Sequence, residues 1–388
     1  MAATPLDNYF QQDTSRLTDE ILRITRERGR VSALIQKGEL PEGIGYNYST
    51  VLYKRSGQTG GNGWVTVAAE NGTANNCVPT PNTVAPASTT YAYTAEARTI
   101  KSNPICFEDL YRAYKPQEQI AAVQENFQDE TVDTWEDRDK LAFFTNAAHK
   151  IIADENLTEG STTMPLTVPT TRPIQSILDI IYMRNIQNGA GNESYAKANG
   201  APLFPLICSM EASRNIIKED PSTRQDFNYA DMGEGSGATL LKAWGVDKAY
   251  GGYMHTIDNR MPRWDFVGGA WVQRPYYTSV ATTIGDELIV NPAYDGAMYE
   301  DMYIWHPQVV KRLMPKPGGS FGSMTSFNPV KWSGAIFWLN IPNETENPFS
   351  NIGRYWAALQ AAYEPRKPTY GWVIRVARCN RFALSPCY

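Results

Sequence analysis

Residues 117–159 read QEQIAAVQENFQDETVDTWEDRDKLAFFTNAAHKIIADENLTE and contain neither glycine nor proline. Pro116 stands just before them, where proline suits a helix start: its φ is already helical and its missing N–H is not needed in the first turn. Ile120, Val123, Phe127, Thr134, Leu141, Phe144, Ala148 and Ile151 recur at close to 3.5-residue steps. That period predicts one long helix over Gln117–Ala153 with a single buried seam, about 55 Å long at 1.5 Å per residue. The stretch is acidic, with ten Asp and Glu up to residue 155 against Arg138, Lys140 and Lys150. A charge run of this kind reads first as the solvated side of the helix.

Upstream the character reverses. Residues 43–103 are rich in Gly, Thr, Asn, Ser and Ala, with seven glycines between Gly43 and Gly72 and with Pro79, Pro81 and Pro86. The two ends alternate like strands, around Tyr46 and Tyr48 and again around Tyr91 and Tyr93. Between them lies a long polar tip that includes a short strand-like WVTVA beginning at Trp64. A hairpin with such a tip cannot build a core of its own, and a loop this long inside a compact domain needs a task. Further upstream, residues 15–37 predict an amphipathic helix, with Leu17, Ile21, Ile24 and Val31 at helical spacing. Its polar side carries Arg16, Arg23, Arg26, Arg28, Arg30 and Lys37 against Asp19, Glu20 and Glu27, a net +3. This is either a solvated face or an arm that pairs with acidic surface, for which residues 117–155 at −7 are the natural partner.

Downstream, PIQSILDIIYMRNIQ from Pro173 reads as helix. APLFPLICS followed by MEASRNIIKED reads as a buried strand and then a helix, and YEDMYIWHPQVVKRLMP suggests the same step near residue 305. VKWSGAIFWLNIP, RYWAALQAAYE and GWVIRVAR predict strands separated by turns rich in Pro and Asn. The class is α+β with separated lobes.

Composition narrows the function. A chain of 388 residues with 42% apolar and 20% charged side chains is a folded protein with a sizeable core. A formal charge of −5 argues against a general nucleic-acid binder, which needs clustered cations. The first thirty residues hold no apolar signal segment, and nothing approaches a membrane span. Five scattered cysteines (Cys77, Cys106, Cys208, Cys379, Cys387) favour free thiols in reducing cytoplasm; a Cys379–Cys387 pair is the alternative.

The search for chemistry returns no catalytic residue, no cofactor and no metal site. His149, His255 and His306 are the only histidines, and no two lie at metal-ligand spacing. Gly318–Gly322 matches G-x-S-x-G around Ser320, but prolines precede it and no histidine follows to complete a triad. GEGSGA at Gly233–Ala238 fits a dinucleotide loop loosely and lacks the preceding buried strand. Ten Trp and twenty-two Tyr keep a carbohydrate-binding or carbohydrate-active protein open as an alternative.

The order of these stretches resembles the major capsid proteins of tailed phages with the Hong Kong 97 fold. On that resemblance residues 1–42 form an N-terminal arm and 43–103 an extended β-hairpin loop. Residues 104–171 form a peripheral domain with a long spine helix, 172–315 an axial domain, and 316–388 a return to the peripheral sheet with a C-terminal tail. WGVDKAYGGYMHTIDNRMP, APLFPLICSMEASRNIIKED and MYIWHPQVVKRLMP are similar to axial-domain segments of that fold. The resemblance implies pentamers and hexamers tiling an icosahedral shell around nonspecifically held double-stranded DNA. It also implies a separate scaffolding protein, a portal at one vertex, room for a decoration protein, and no membrane. The chain would assemble in the host cytoplasm and reside in the virion capsid. An encapsulin-like compartment of the same fold is the alternative. No N-terminal processing and no Lys–Asn crosslink (Lys54 being the candidate) are expected. Arg16, Arg23, Arg26, Arg30, Trp64, Glu125, Asp129 and Asp133 are the expected inter-subunit contacts.

Overall fold

A computed structural model describes residues 30–40, 47–52, 87–92, 99–103, 105–106, 116–160, 163–170, 175–194, 196–198, 201–219, 246–250, 252–282, 285–315, 336–339, 352–358 and 361–378. In chain order these form a short helix α1 (Arg30–Leu34), then β1 (Gln36–Leu40), β2 (Asn47–Leu52), β3 (Ala87–Ala92), β4 (Thr99–Lys101) and β5 (Ile105–Cys106). The long helix α2 (Pro116–Asn146) follows, and after it β6 (His149–Ile152), β7 (Glu159–Gly160), α3 (Gln175–Gln187), β8 (Ala196–Ala198), β9 (Ala201–Cys208) and α4 (Met210–Glu219). Next come β10 (Val246–Tyr250), β11 (Tyr253–Ile257), β12 (Arg263–Val267), β13 (Ala270–Arg274), β14 (Tyr277–Thr282), β15 (Gly285–Val290) and a single helical turn α5 (Pro292–Asp295). β16 (Tyr299–Ile304), β17 (Val310–Pro315), β18 (Ile336–Leu339), β19 (Ile352–Ala358), β20 (Ala362–Pro365) and β21 (Trp372–Ala377) complete the order.

A mixed sheet organises the fold. Its strands run β10-β11-β9-β16-β21-β6-β7, with β12 also on β16, β13 on β12 and β8 on β9. The pairs β9–β11 and β21–β6 are parallel and the others antiparallel. Alternation sends Phe204, Leu206, Met302, Ile304, Trp372 and Ile374 to one face, where Leu178 and Ile181 of α3 and Ala212 and Ile216 of α4 cover them. Ile207, Tyr303, Val373 and Trp305 join the opposite core with Ala142 and Phe143 of α2 and Val31 and Leu34 of α1. Both faces of the sheet are therefore buried, which is why β9 and β21 read as near-continuous apolar runs.

An ion pair lies within that interior. Asp301 and Arg375 lie opposite each other on β16 and β21, both fully buried. The guanidinium donates from Nε to Oδ1 at 2.7 Å and from Nη2 to Oδ2 at 3.0 Å. The Trp264 indole N–H donates to the same carboxylate at 2.7 Å, and Arg375 lies over the Trp264 and Trp271 rings at 4.0 and 4.4 Å. The forked geometry and the extra donor satisfy a carboxylate that would otherwise be costly to bury.

The long helix is present and shorter than its periodicity predicts. α2 has 31 residues, about 46 Å at 1.5 Å per residue, and it ends at Asn146. Residues 149–152 pair in parallel with β21 instead, which buries Ile151 and Ile152 completely; two adjacent β-branched residues pack better on a pleated sheet than on a helix. The predicted seam also shifts. Leu141 points outward, 56% exposed, while Val132, Trp135, Ala142 and Phe143 are buried. The acidic run is not simply a solvated side either: Glu136, Arg138, Asp139 and Lys140 are all buried.

Two other expectations change. The helix expected through Lys37 ends at Leu34, and Gln36–Leu40 instead form β1, parallel to β17 from Gln36↔Lys311 to Leu40↔Pro315. At Gly38 the two strands come so close that a Cβ would meet the Leu313 Cδ2 at 2.8 Å. After β16 the chain makes a turn and not a helix: Val309 N–H donates to His306 O at 3.1 Å, and β17 then joins β1 and β20 in a three-stranded sheet. The strand-then-helix step predicted at residues 201–219, the helix at 175–187 and the strands at 336–339, 352–358 and 372–377 are found. β2 and β3 form the predicted antiparallel hairpin, registered from Asn47↔Ala92 to Leu52↔Ala87.

Candidate assembly elements

The N-terminal segment is fastened to the long helix by two buried carboxylates one turn apart. The Val31 and Ser32 N–H groups, unpaired at the start of α1 as in any helix, donate to Glu136 Oε1 at 2.7 Å and Oε2 at 2.9 Å. The Ser32 hydroxyl donates to Asp139 Oδ2 at 2.6 Å. Asp139 also accepts from Arg312 Nη1 of β17 at 2.6 Å and from the Tyr363 hydroxyl of β20 at 2.8 Å. One side chain thus joins four elements. Arg312 lies 4.4 Å above the Trp135 ring, and Val31, Leu34 and Ile35 close over Phe143.

Burial pushes the Glu136 carboxyl up to about 7, with Asp258 acting in the same direction and Lys140 and the two N–H groups opposing it. Lys140 itself pairs with Asp258 Oδ2 at 2.5 Å and donates to Arg260 O at 3.1 Å. Arg260 binds Asp133, and Asp137 at 3.2 Å, and stacks over Tyr276 and Tyr277 at 5.2 and 5.4 Å. The acidic side of α2 therefore anchors both the N-terminal segment and the loop before β12.

The expected inter-subunit residues fall in three groups. Arg16, Arg23, Arg26 and Trp64 lie outside the described residues. Arg30 opens α1 and is half-buried; Glu125 is exposed and Asp129 half-buried on α2. Asp133 is held by Arg260 of the same chain. The described part of the segment before β1 contacts α2. Among the described residues it docks through main-chain N–H groups and a serine hydroxyl. Glu136, Asp139, Arg312 and Tyr363 carry that contact, and sequence reasoning missed all four. The available signal was weak: Asp139 lies one turn from both Trp135 and Phe143, on the apolar side of the helix.

The histidines are held within the fold. His149 Nδ1 bonds Glu159 while its ring stacks on Trp372 at 3.8 Å. Burial pushes His255 and His306 down to about 4; His306 Nε2 donates to Ala190 O at 3.1 Å and its Nδ1 accepts from Gln308 N–H at 3.1 Å. Cys106 is a free thiol and Cys208 is buried. Among the described residues no group of three His, Cys, Asp or Glu is arranged to hold a metal, and no helix is long and apolar enough to cross a membrane. Ser320 with its G-x-S-x-G, the 233–238 loop, Cys77, Cys379 and Cys387 lie outside the described residues.

Two further features concern surfaces. β14 and β15 pair with each other and with no other described strand, and Tyr277, Val280, Leu288 and Val290 on them are exposed. The base of this hairpin is fixed: Asn291 N–H donates to Tyr276 O at 2.8 Å, its side-chain NH₂ to Pro275 O at 3.1 Å, and its Oδ1 caps α5 at Ala293 N–H. β2–β3 likewise pairs with no other described strand.

Neither a family model nor a curated protein matches the sequence. Solved structures do resemble the fold. The capsid of Ralstonia phage GP4 is 10% identical, with 91% of this chain and 88% of that chain covered and a TM-score of 0.49. The cyanophage Pam1 capsid is 10% identical, with 89% and 88% covered and a TM-score of 0.48. The likeness is to phage capsids. It extends to the holo-SrpI encapsulin complex from Synechococcus elongatus PCC 7942, 11% identical over 89% of this chain and 86% of that one, with a TM-score of 0.41. The chain's own architecture is mixed α+β around a long helix.

Proposed function

We propose that this chain is a structural shell protein, the major capsid protein of a tailed phage, assembling as pentamers and hexamers around double-stranded DNA. The observation that carries the reading is the β2–β3 hairpin, whose strands are joined by a tip of 34 residues (53–86) and pair only with each other among the described strands. A two-stranded hairpin is marginal by itself in water, and this one gains most if laid across a neighbouring copy. The order of arm, hairpin, long helix, sheet and returning strand supports the same reading. Many weak contacts per subunit suffice in a closed shell, because each bound neighbour raises the effective concentration of the next. On this reading residues 1–42 are the arm, 43–103 the extended loop, 104–171 and 316–388 the peripheral region, and 172–315 the axial region. A scaffolding protein, a portal and packaged DNA are the partners proposed with it.

Electron microscopy of the full chain, expressed with its scaffolding partner, tests this. Closed particles hundreds of ångströms across are expected, containing nuclease-protected DNA when recovered from infected cells. A monodisperse monomer at high concentration under native conditions overturns the reading. Closed particles that hold a cargo protein and no DNA replace it with an encapsulin-like compartment.

A further inference from the structure

Strand β21 ends beside a cavity at α4. Past the pair Tyr299↔Ala377 the ladder runs on by one step, with Arg378 N–H donating to Met298 O at 2.9 Å. In an antiparallel pair each further residue of one strand runs against earlier residues of the other, so the chain leaves the sheet toward Ala297 and α5. The Arg378 side chain follows the same course. Its Nη1 donates to Ala297 O at 2.7 Å and Asp295 O at 3.2 Å, and its Nη2 to Glu211 Oε2 at 3.0 Å. Asp295 and Glu211 both line the cavity.

The cavity has a volume of about 270 Å³, and Met210, Arg263, Val290 and Tyr294 are also among its lining residues. Met210 and Val290 are exposed although apolar. Beside them lie two buried polar atoms without a hydrogen-bond partner among the described residues: Arg263 Nε, a donor, and Glu211 Oε1, an acceptor. Unpaired buried groups of this kind are costly. An apolar plug would leave both unmatched, whereas a polypeptide segment brings N–H and C=O groups together with its side chains. The sequence continues past Arg378 with CNRFALSPCY at 379–388, which lies outside the described residues. A single arginine side chain already bridges the gap to the cavity wall. Four residues of extended chain cover about 13 Å, enough to carry Phe382 across it. Alternate side chains of an extended segment share a side, so Phe382 and Leu384 reach one wall together.

We infer that residues 380–384 turn back from the end of β21 and occupy the cavity beside α4 of the same chain. Phe382 and Leu384 lie against Met210 and Val290, and the main chain between them meets Arg263 and Glu211. The tether favours this occupant over a segment of another molecule, because a short linker holds its end near the site at an effective concentration of about millimolar. This goes beyond the shell reading and does not depend on it.

Cysteine labelling of the full-length chain tests the seat. Met210→Cys places a thiol in the cavity wall, and peptide mass spectrometry separates its maleimide label from those on the native cysteines. Adding Phe382→Ser and Leu384→Ser should raise the labelling rate about tenfold, equivalent to about 1.4 kcal/mol, with unchanged circular dichroism. Hydrogen exchange gives a second reading with Met210 in place: amides of residues 210–214 and 290–295 should exchange faster in the Phe382→Ser, Leu384→Ser chain than in the parent. Both effects should be independent of subunit concentration. Equal labelling and equal exchange with and without the tail substitutions overturn the inference, whether or not closed particles form. Protection lost on dilution places the segment in a neighbouring copy and also overturns it. Protection that appears only with a scaffolding protein present assigns the cavity to that partner, with the same result.

Discussion

Two strand pairs of this chain, each with six registered residue pairs, have opposite fates. β16–β21 runs Tyr299↔Ala377 to Ile304↔Trp372, and Met302, Tyr303, Ile304, Trp372, Val373 and Ile374 on it are all buried. β14–β15 runs Tyr277↔Val290 to Thr282↔Gly285, with Tyr277, Val280, Leu288 and Val290 exposed. Local chemistry hardly separates them, since both use aromatic and β-branched residues suited to a pleated ladder. The difference lies in what covers each pair. Helices from both sides close over β16–β21, whereas no described strand or helix closes over Leu288, which is 69% exposed. Stability should therefore depend strongly on the first pair and little on the second.

Breaking the first pair should have the largest effect. Asp301→Ala leaves Arg375 charged and buried, and should cost about 3–5 kcal/mol of subunit stability by urea unfolding. Asp301→Leu with Arg375→Met should recover most of that. A cost below about 1 kcal/mol would show that the ion pair is not what holds the sheet centre. Phe143→Ala, on the core side of α2 between Tyr303 and Trp305, should cost a similar ~3–5 kcal/mol.

The fastening of the N-terminal segment comes next. Glu136→Ala removes the acceptor of two N–H groups and should lower stability by about 1.5–3 kcal/mol. Proteolysis should then begin near residue 30. Equal protease resistance in variant and parent would assign the fastening to Val31 and Leu34 alone.

Stability should also depend on pH, with a sign that differs at the two ends. Burial raises Glu136 and Glu300 from 4.5 to about 7 in the folded chain. Their stabilising contribution is fully present below the unfolded value of 4.5 and is lost as pH rises through about 7. Burial lowers His255 and His306 from 6.5 to about 4, so their contribution is present above 6.5 and is lost as pH falls through about 4. Denaturation followed from acid to mildly alkaline pH should show a maximum between these limits. Glu136→Gln should flatten the alkaline side; an unchanged slope would place the titration elsewhere.

The smallest effect sharpens the comparison most. Leu288→Ser, on the exposed pair, should change subunit stability by no more than about 0.5 kcal/mol. A loss comparable to Phe143→Ala would mean that β14–β15 belongs to the subunit core after all.

Much of this architecture is legible in the residues themselves. The absence of Gly and Pro after Pro116 determines a long helix, because nothing in that run interrupts an i to i−4 ladder. The apolar run at 201–208 followed by a charged amphipathic stretch determines a strand and then a helix. Gly-rich, polar residues flanked by alternating tyrosines determine a hairpin without a core. These are local properties, and local propensity suffices to write them. The tertiary structure alone decided that α2 stops at Asn146, because Ile151 and Ile152 gain more by pairing with β21, more than two hundred residues away, than by extending the helix. It alone made strands of Gln36–Leu40 and Val310–Pro315, each of which is completed by the other. It alone turned Glu136 and Asp139 from apparent surface charges into buried anchors, since their partners at Val31, Ser32, Arg312 and Tyr363 lie far off in sequence. A side chain's charge is written in the sequence, but whether water or protein compensates it depends on which distant segments the fold brings within hydrogen-bonding distance.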